Sequence, residues 1–354
     1  MESLSVPEIQ RYLDLAGEVG RSCPVVDVHV HATEVIFRQI RYRPAPEGAE
    51  THSAVDSPFQ PPRVAALRLD DASRAASRFD LRTRNRVSRL IFTSAYEHIG
   101  PRVLLAHMAL ARVSEALLLP VAPSDGGVED QMRALAATRA ADPRFAIAYS
   151  VPNPIRAEDI AGDVRMAVRA YGVRAVKLHP NLSRIDLRTA EGMERVESIQ
   201  AACREAALPL MVHGGRSPIL DDEWASGLAI VDNLAHVDWG RSGGSVVIAH
   251  CGFFGCDGED IAGTAMPVLQ TILDRHANVL VDTSGLPFGI LVQALRHIDP
   301  ERIVFGSDAL YFPMWQAVVT LLHALRIAGR PLQESFAQIA SRNARIRLLP
   351  GAPV

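Results

Sequence analysis

Lysine is almost missing from this 354-residue chain: 37 residues are Lys or Arg, and Lys177 is the single lysine among them. Cysteine is scarce as well. Cys23, Cys203, Cys251 and Cys256 are too few and too scattered for a disulfide framework, and Cys251 and Cys256 lack the usual two-residue zinc spacing. Reduced thiols in a cytoplasmic protein are the expectation, with a small reservation for Cys251, which directly follows a candidate site histidine. Long apolar runs are absent too: the stretch from Val103 to Ala111 is broken by His107 and closed by Arg112, short of the ~18 residues a membrane span needs. Near the start, Glu2, Glu8 and Asp14 stand where a secretory signal has a basic and then an apolar region, so export by that route is not expected. A dominant charge of one sign is also lacking. The formal net charge of -3 gives no reason to expect a nucleic acid or a membrane surface as partner. A small-molecule substrate is the expected partner, and a homo-oligomer stays open.

What is present is a rhythm. With 48% hydrophobic residues the chain can bury a large core, and from residue 24 onward short apolar runs alternate with stretches of helical periodicity. The runs cover residues 24 to 31, 116 to 121, 145 to 150, 173 to 179, 208 to 213, 245 to 250, 278 to 283 and 302 to 308. Strands separated by helices imply a parallel sheet, and eight of them close a barrel, so the predicted fold class is α/β, a (β/α)8 TIM barrel. Helices are predicted over residues 127 to 141, with Ser124 and Asp125 as capping candidates, and over 189 to 207, with an apolar stripe through Met193, Val196, Ile199, Ala202 and Ala206. Two closing helices are expected within 314 to 348. One domain, 24 to 349, preceded by a helical extension over 1 to 23, is the economical reading.

Residues 33 to 100 depart from the rhythm, because far fewer residues normally join a strand to its helix. This insertion is read as an active-site lid, with irregular Pro-rich pieces at 44 to 48 and 58 to 62 and a helix-like segment around 64 to 86. Between residues 38 and 89 stand 11 Arg against 6 Asp plus Glu, an excess of 11 - 6 = 5 positive charges. A basic lid suits an anionic substrate; a solvated face in an arginine-rich chain accounts for the same excess, and both readings stand.

Side chains alternate along a strand, which predicts that Asp27, His29 and His31 share one face and point into the barrel at the C-terminal end of the first strand. A lone histidine there would be read as a satisfied core residue. This pair is joined by His213 at the end of the fifth strand, His250 at the end of the sixth and Asp308 at the end of the eighth, the rim on which barrels of this type carry their sites. His107, His236, His276, His297 and His323 fall within helical stretches and are read as packing or surface residues. His52 and His98 lie in the insertion.

The pieces Val-Asp-Val-His-Val-His (26 to 31), Val-Lys-Leu-His-Pro (176 to 180), Met-Val-His-Gly-Gly (211 to 215), Val-Ile-Ala-His-Cys-Gly (247 to 252), Val-Leu-Val-Asp-Thr-Ser-Gly (279 to 285), Phe-Gly-Ser-Asp-Ala-Leu-Tyr (305 to 311) and Asn-Ala-Arg-Ile-Arg-Leu-Leu (343 to 349) carry a resemblance by their order and spacing. From residue 24 to about 349 the chain resembles the amidohydrolase superfamily, in the branch that includes aminocarboxymuconate-semialdehyde decarboxylase. The resemblance implies zinc, or another divalent metal such as manganese, on His29, His31, His213 and Asp308, with His250 as a polarising or acid-base residue. Candidate substrate-binding residues are His179 and Arg216. The insertion after the first strand departs from the family, so substrate contacts there do not carry over.

The isolation of Lys177 is read from this sequence and not from the family. The residue lies at the end of the fourth strand, on the face of His179, in a composition that uses arginine everywhere else. A buried lysine can lose its proton where arginine cannot, and a neutral amine takes up carbon dioxide to form a carbamate. Carbamate lysines at this position bridge two metals in binuclear members of the superfamily, so the resemblance makes Lys177 a fifth candidate ligand and leaves one or two metals per chain open; a lysine that simply fits a salt bridge is the bland alternative.

Hydrolysis of an amide, lactone or related bond by metal-activated water is the first functional expectation, with Asp308 and His250 as catalytic residues. Non-oxidative decarboxylation of an aromatic or enoic acid on the same shell is the second. A catalytically silent binding protein is the third, disfavoured because every ligand position is filled.

Overall fold

The computed structural model describes residues 3–31, 66–68, 101–122, 128–153, 160–217, 220, 222–256, 261–309 and 313–349. Its centre is an eight-stranded parallel sheet: β1 (Val26–Val30), β2 (Glu115–Leu118), β3 (Phe145–Ser150), β4 (Ala175–Leu178), β5 (Leu210–Val212), β6 (Val246–Ile248), β7 (Val279–Asp282) and β8 (Ile303–Val304). Each strand pairs with the next in chain order. The sheet closes on itself where the amide of Val28 donates to the Phe305 carbonyl at 3.0 Å, that of Asp308 donates to the His29 carbonyl at 2.9 Å, and Val30 bridges Ala309. The fold is a (β/α)8 barrel, and each of the eight predicted runs overlaps one strand, the second strand starting one residue before its run.

Alternation sorts the strand residues into two packed layers. Leu117, Leu119, Ala148, Ala175, Met211, Val247, Leu280 and Val304 fill the barrel interior, whereas Leu118, Ile147, Val176, Val212, Ile248 and Val281 face the helices. Asn343–Arg347 with Leu348 and Leu349 covers the N-terminal end: Ala344, Leu348 and Leu349 join the interior cluster, and Arg345 pairs with Glu115 at the start of β2.

The predicted helices appear as Val128–Ala141 and Ala190–Ala206, the latter capped by Thr189, whose Oγ1 accepts the Gly192 amide at 3.1 Å. Ser124 and Asp125 lie outside the described residues. The closing segment forms Met314–Ile327 and then Leu332–Ala337, which runs through a π-turn into Asn343–Arg347. The extension forms the helix Val6–Gly20, started by a capping box between Ser5 and Glu8 and docked on Met314–Ile327 through Tyr12, whose hydroxyl lies 3.0 Å from His323 Nδ1.

Two expectations need correction. Within the segment read as helix-like from 64 to 86, Ala66–Arg68 is a strand, antiparallel to Ser3–Ser5; pairing with the distant N-terminus, which local periodicity does not register, sets these three residues in a strand. The rest of that segment, and with it the proposed lid, His52 and His98, lies outside the described residues. In β1 the register against β2 shifts between Asp27 and Val30. An irregularity of this kind re-aims the side chains around it. Val26 and Val28 pack in the interior cluster, and Asp27 is in neither of the compact donor groups found among the described residues, one of which holds His29 and His31. Asp27 Oδ1 instead accepts the amides of His29 at 3.1 Å and Ser307 at 3.0 Å, tying β1 to the segment after β8.

Candidate metal centre

At the C-terminal rim the strand ends bring His29, His31 and Asp308 together, with one donor atom from each inside a mutual distance of 4.8 Å and all three buried. Asp308 Oδ1 lies 3.1 Å from His31 Nε2 and 3.5 Å from His29 Nε2. The other ring nitrogens are already engaged: His31 Nδ1 lies 2.8 Å from the Leu119 carbonyl and His29 Nδ1 2.8 Å from Asp282 Oδ2. Each imidazole therefore keeps Nε2 for the cluster, the arrangement seen in histidine ligands whose second nitrogen donates to a carboxylate or carbonyl. A second trio, His29, His250 and Asp282, is equally compact. Asp282 and the Nδ1 atoms of both rings are engaged in hydrogen bonds within the trio and to Ser284, which makes it a supporting network.

Asp282 and Ser284 were not singled out in the sequence as site residues, although they stand in the Val-Leu-Val-Asp-Thr-Ser-Gly piece. Asp282 Oδ1 accepts the amides of His250 at 2.8 Å and Ser284 at 3.0 Å, together with the Ser284 hydroxyl. His250 Nδ1 lies 2.9 Å from the Ser284 carbonyl. His250, Cys251 and Asp308 adopt positive φ angles of 57°, 49° and 58°, a region that costs a non-glycine residue energy and that clusters at functional sites. Gly306 makes the approach of β8 to β1 feasible: a Cβ there would stand 2.8 Å from His29 Cβ and 3.2 Å from Ser284 Cβ.

Burial sets the proton affinities. It lowers His29 to about 3, with the Lys177 charge adding to the effect, and it also lowers His250. Both rings are neutral near pH 7. For Asp308, burial favours the acid form, but the hydrogen bond to His31 and the neighbouring imidazoles hold the carboxyl below the usual carboxylate range. Asp282 behaves in the same way through His29 and Ser284. The result is neutral imidazoles at His29 and His250, ionised carboxylates at Asp308 and Asp282 and, beside them, Lys177.

Lys177 is buried, and its Nζ has no hydrogen-bond partner among the described residues. Burial lowers its pKa to about 8, against the pull of Asp282 and Asp308. Its neighbour Ser150 on β3, paired with it in register, also keeps its buried hydroxyl unpartnered. The donor set of imidazole nitrogens and a carboxylate fits a divalent cation, whereas the Lys177 amine, protonated below pH 8, does not ligate one as it stands.

His213 stands beside the trio and outside it. Its ring stacks on His179 with centroids 3.8 Å apart, meets His250 at 4.9 Å, and its Nε2 lies 3.4 Å from the Arg216 carbonyl. Phe254 closes this side, 4.6 Å from the His250 ring. Of the two substrate-binding candidates, His179 is buried within this group. Arg216 is linked to it through its backbone. Among the helical histidines, His107 and His323 are buried in helices and His276 faces Asp238, all apart from the trio.

The described residues include no helix long and apolar enough to cross a membrane. No protein of curated function matches the sequence. Solved structures share the fold at low identity. A 5-carboxyvanillate decarboxylase, LigW, from Sphingomonas paucimobilis has 18% identity and a TM-score of 0.57, over 92% of this chain and 99% of that one. An amidohydrolase from Burkholderia multivorans with bound zinc has 15% identity and a TM-score of 0.55, over 92% and 99%. A probable 2-pyrone-4,6-dicarboxylic acid hydrolase from Acinetobacter baumannii with citric acid bound has 13% identity and a TM-score of 0.54, over 92% and 98%. A family model described as amidohydrolase matches residues 26–350, nearly the whole barrel, and the chain belongs to that family.

Proposed function

We propose that the protein is a metal-dependent hydrolase acting on an amide, lactone or related bond of a small, anionic substrate. The buried trio of His29, His31 and Asp308 carries this reading. His213 is the proposed fourth ligand and Lys177, as a carbamate, the proposed bridge to a second ion. Zinc fits the imidazole-rich donor set, and manganese is the alternative. A divalent ion held there supplies Lewis acidity, polarising a carbonyl and making water acidic enough to attack near neutrality. Asp308, ionised and aligned by His31, accepts the proton of the attacking water and passes it to the leaving group. His250, neutral and with Nδ1 engaged by the Ser284 carbonyl, presents Nε2 as an acid–base group that takes up a proton during turnover. His179 and Arg216 orient the substrate, and the arginine excess between residues 38 and 89 is what tilts the reading toward an anionic one.

Decarboxylation of an aromatic or enoic acid is the second reading. Lys177 favours it if the amine stays free, since an unpartnered buried ammonium seats a carboxylate directly. Titration of chelated protein with zinc or manganese, followed by assay on panels of lactones, amides and aromatic acids, separates the two. Acid release without carbon dioxide supports hydrolysis; stoichiometric carbon dioxide supports decarboxylation. Turnover that is indifferent to metal removal overturns both.

A further inference from the structure

His29 and His250 come from different strands, yet one carboxylate organises both. Asp282 Oδ2 faces His29 Nδ1 at 2.8 Å, while Oδ1 takes the His250 amide, the Ser284 amide and the Ser284 hydroxyl. Proton accounting then leaves no freedom. An ionised carboxylate only accepts, so His29 Nδ1 must carry hydrogen. The single hydroxyl proton of Ser284 is directed at Asp282, so its Oγ, 3.0 Å from His29 Nδ1 and 2.9 Å from His250 Nδ1, can only accept from the rings. A carbonyl also only accepts, so His250 Nδ1, 2.9 Å from the Ser284 carbonyl, carries hydrogen as well. A neutral imidazole has one N–H, which leaves Nε2 as the basic nitrogen of both rings.

We propose that Asp282 is the positioning residue of this site: it fixes the tautomer of His29 and the backbone of His250 directly, and the ring of His250 through Ser284. On the reading of His29 as a metal ligand and His250 as an acid–base residue, one side chain sets the ligating nitrogen of the first and the orientation of the second. The asymmetry of its bonds predicts what an amide would do there. Three donors converge on Oδ1 and one on Oδ2, so an asparagine keeps its oxygen at the first position and turns its NH2 group toward His29. Two donors then face each other, and His29 must move its proton to Nε2.

The test is 15N spectroscopy of histidine-labelled, metal-free protein, with signals assigned by single histidine substitutions. In the wild type, His29 and His250 are expected as Nδ1–H tautomers. In Asp282→Asn, His29 is expected to become the Nε2–H tautomer while His250 stays as it was, and zinc affinity, read by competition with a chelator, is expected to fall about 10–100-fold. His29 already protonated at Nε2 in the wild type, or unchanged tautomer and affinity in Asp282→Asn, overturns the proposal. If that variant does not fold, the wild-type spectrum decides alone. Nδ1–H tautomers in a protein that binds no metal would support the role of Asp282 and defeat the metal reading, so the two fail separately.

Discussion

Asp308 is tied to His29 twice: its amide donates to the His29 carbonyl at 2.9 Å, and its Oδ1 lies 3.5 Å from His29 Nε2. The backbone bond that helps close the barrel is thus the bond that sets the proposed metal ligands side by side. Closure and site formation are one event, because the first and last strands meet only in the finished barrel.

Replacing Asp308 by Asn removes the anionic donor and keeps its shape. Asp308→Asn is expected to lose most bound metal and all metal-dependent turnover while retaining the barrel's circular dichroism. His297→Ala, on the exposed end of the helix Phe288–His297, serves as control and should change neither. Metal content by elemental mass spectrometry checks both, and full occupancy in Asp308→Asn would remove it from the ligand set.

Lys177 distinguishes one metal from two. With its pKa lowered to about 8 by burial, a growing fraction of the amine is neutral as pH rises through that value, and only the neutral form takes up carbon dioxide. Protein prepared with bicarbonate above pH 8 is expected to carry more metal than protein prepared without it. Lys177→Arg should fail as completely as Lys177→Ala, and short carboxylates such as acetate should restore metal to the alanine variant alone. Unchanged stoichiometry and no rescue would assign Lys177 to the substrate.

Gly306 predicts a steric effect. In Gly306→Ala the new Cβ meets His29 Cβ at 2.8 Å, an overlap that β1 or β8 must relieve by moving, at about 1–3 kcal/mol of stability and with weaker metal binding. Gly263→Ala, where nothing lies within 4 Å, should leave both unaltered. Thermal unfolding and chelator competition on the two variants give the comparison; equal behaviour would show that β8 yields freely.

Asp27 makes stability depend on pH. Burial raises its pKa from the ordinary 3.8 to about 7 despite the amides of His29 and Ser307. A carboxyl that binds its proton more tightly when folded stabilises the fold at low pH, and that contribution is lost as pH rises from about 4 toward 7. Asp27→Asn keeps an oxygen for both amides and never ionises. In chelated protein the variant should match the wild type near pH 4 and melt at a higher temperature at pH 8; a constant difference across the range would place the titrating group elsewhere.

Much of this was legible in the sequence because it is local. Eight apolar runs of strand length, separated by helical periodicity, determined the barrel, and each strand's C-terminal end marked where His29, His31, His213, His250 and Asp308 would lie. Lys177 stood out by composition alone, and its unpartnered nitrogen is the structural counterpart of that isolation. Other features depended on residues far apart in the chain. The register shift in β1 arises against β2, more than eighty residues on. The bond between His29 and Asp282 spans 253 residues, and nothing in the periodicity of β7 distinguishes an inward carboxylate that orients two histidines from one that binds metal. Gly306 looked like any glycine until β1 was placed against it. The strand Ala66–Arg68 needed the edge of Ser3–Ser5. Alternation and run length fix which way a side chain faces relative to its own strand; which atoms it then meets, and in which tautomer a histidine must sit, is decided only when the closed barrel brings the strand ends to within hydrogen-bonding distance.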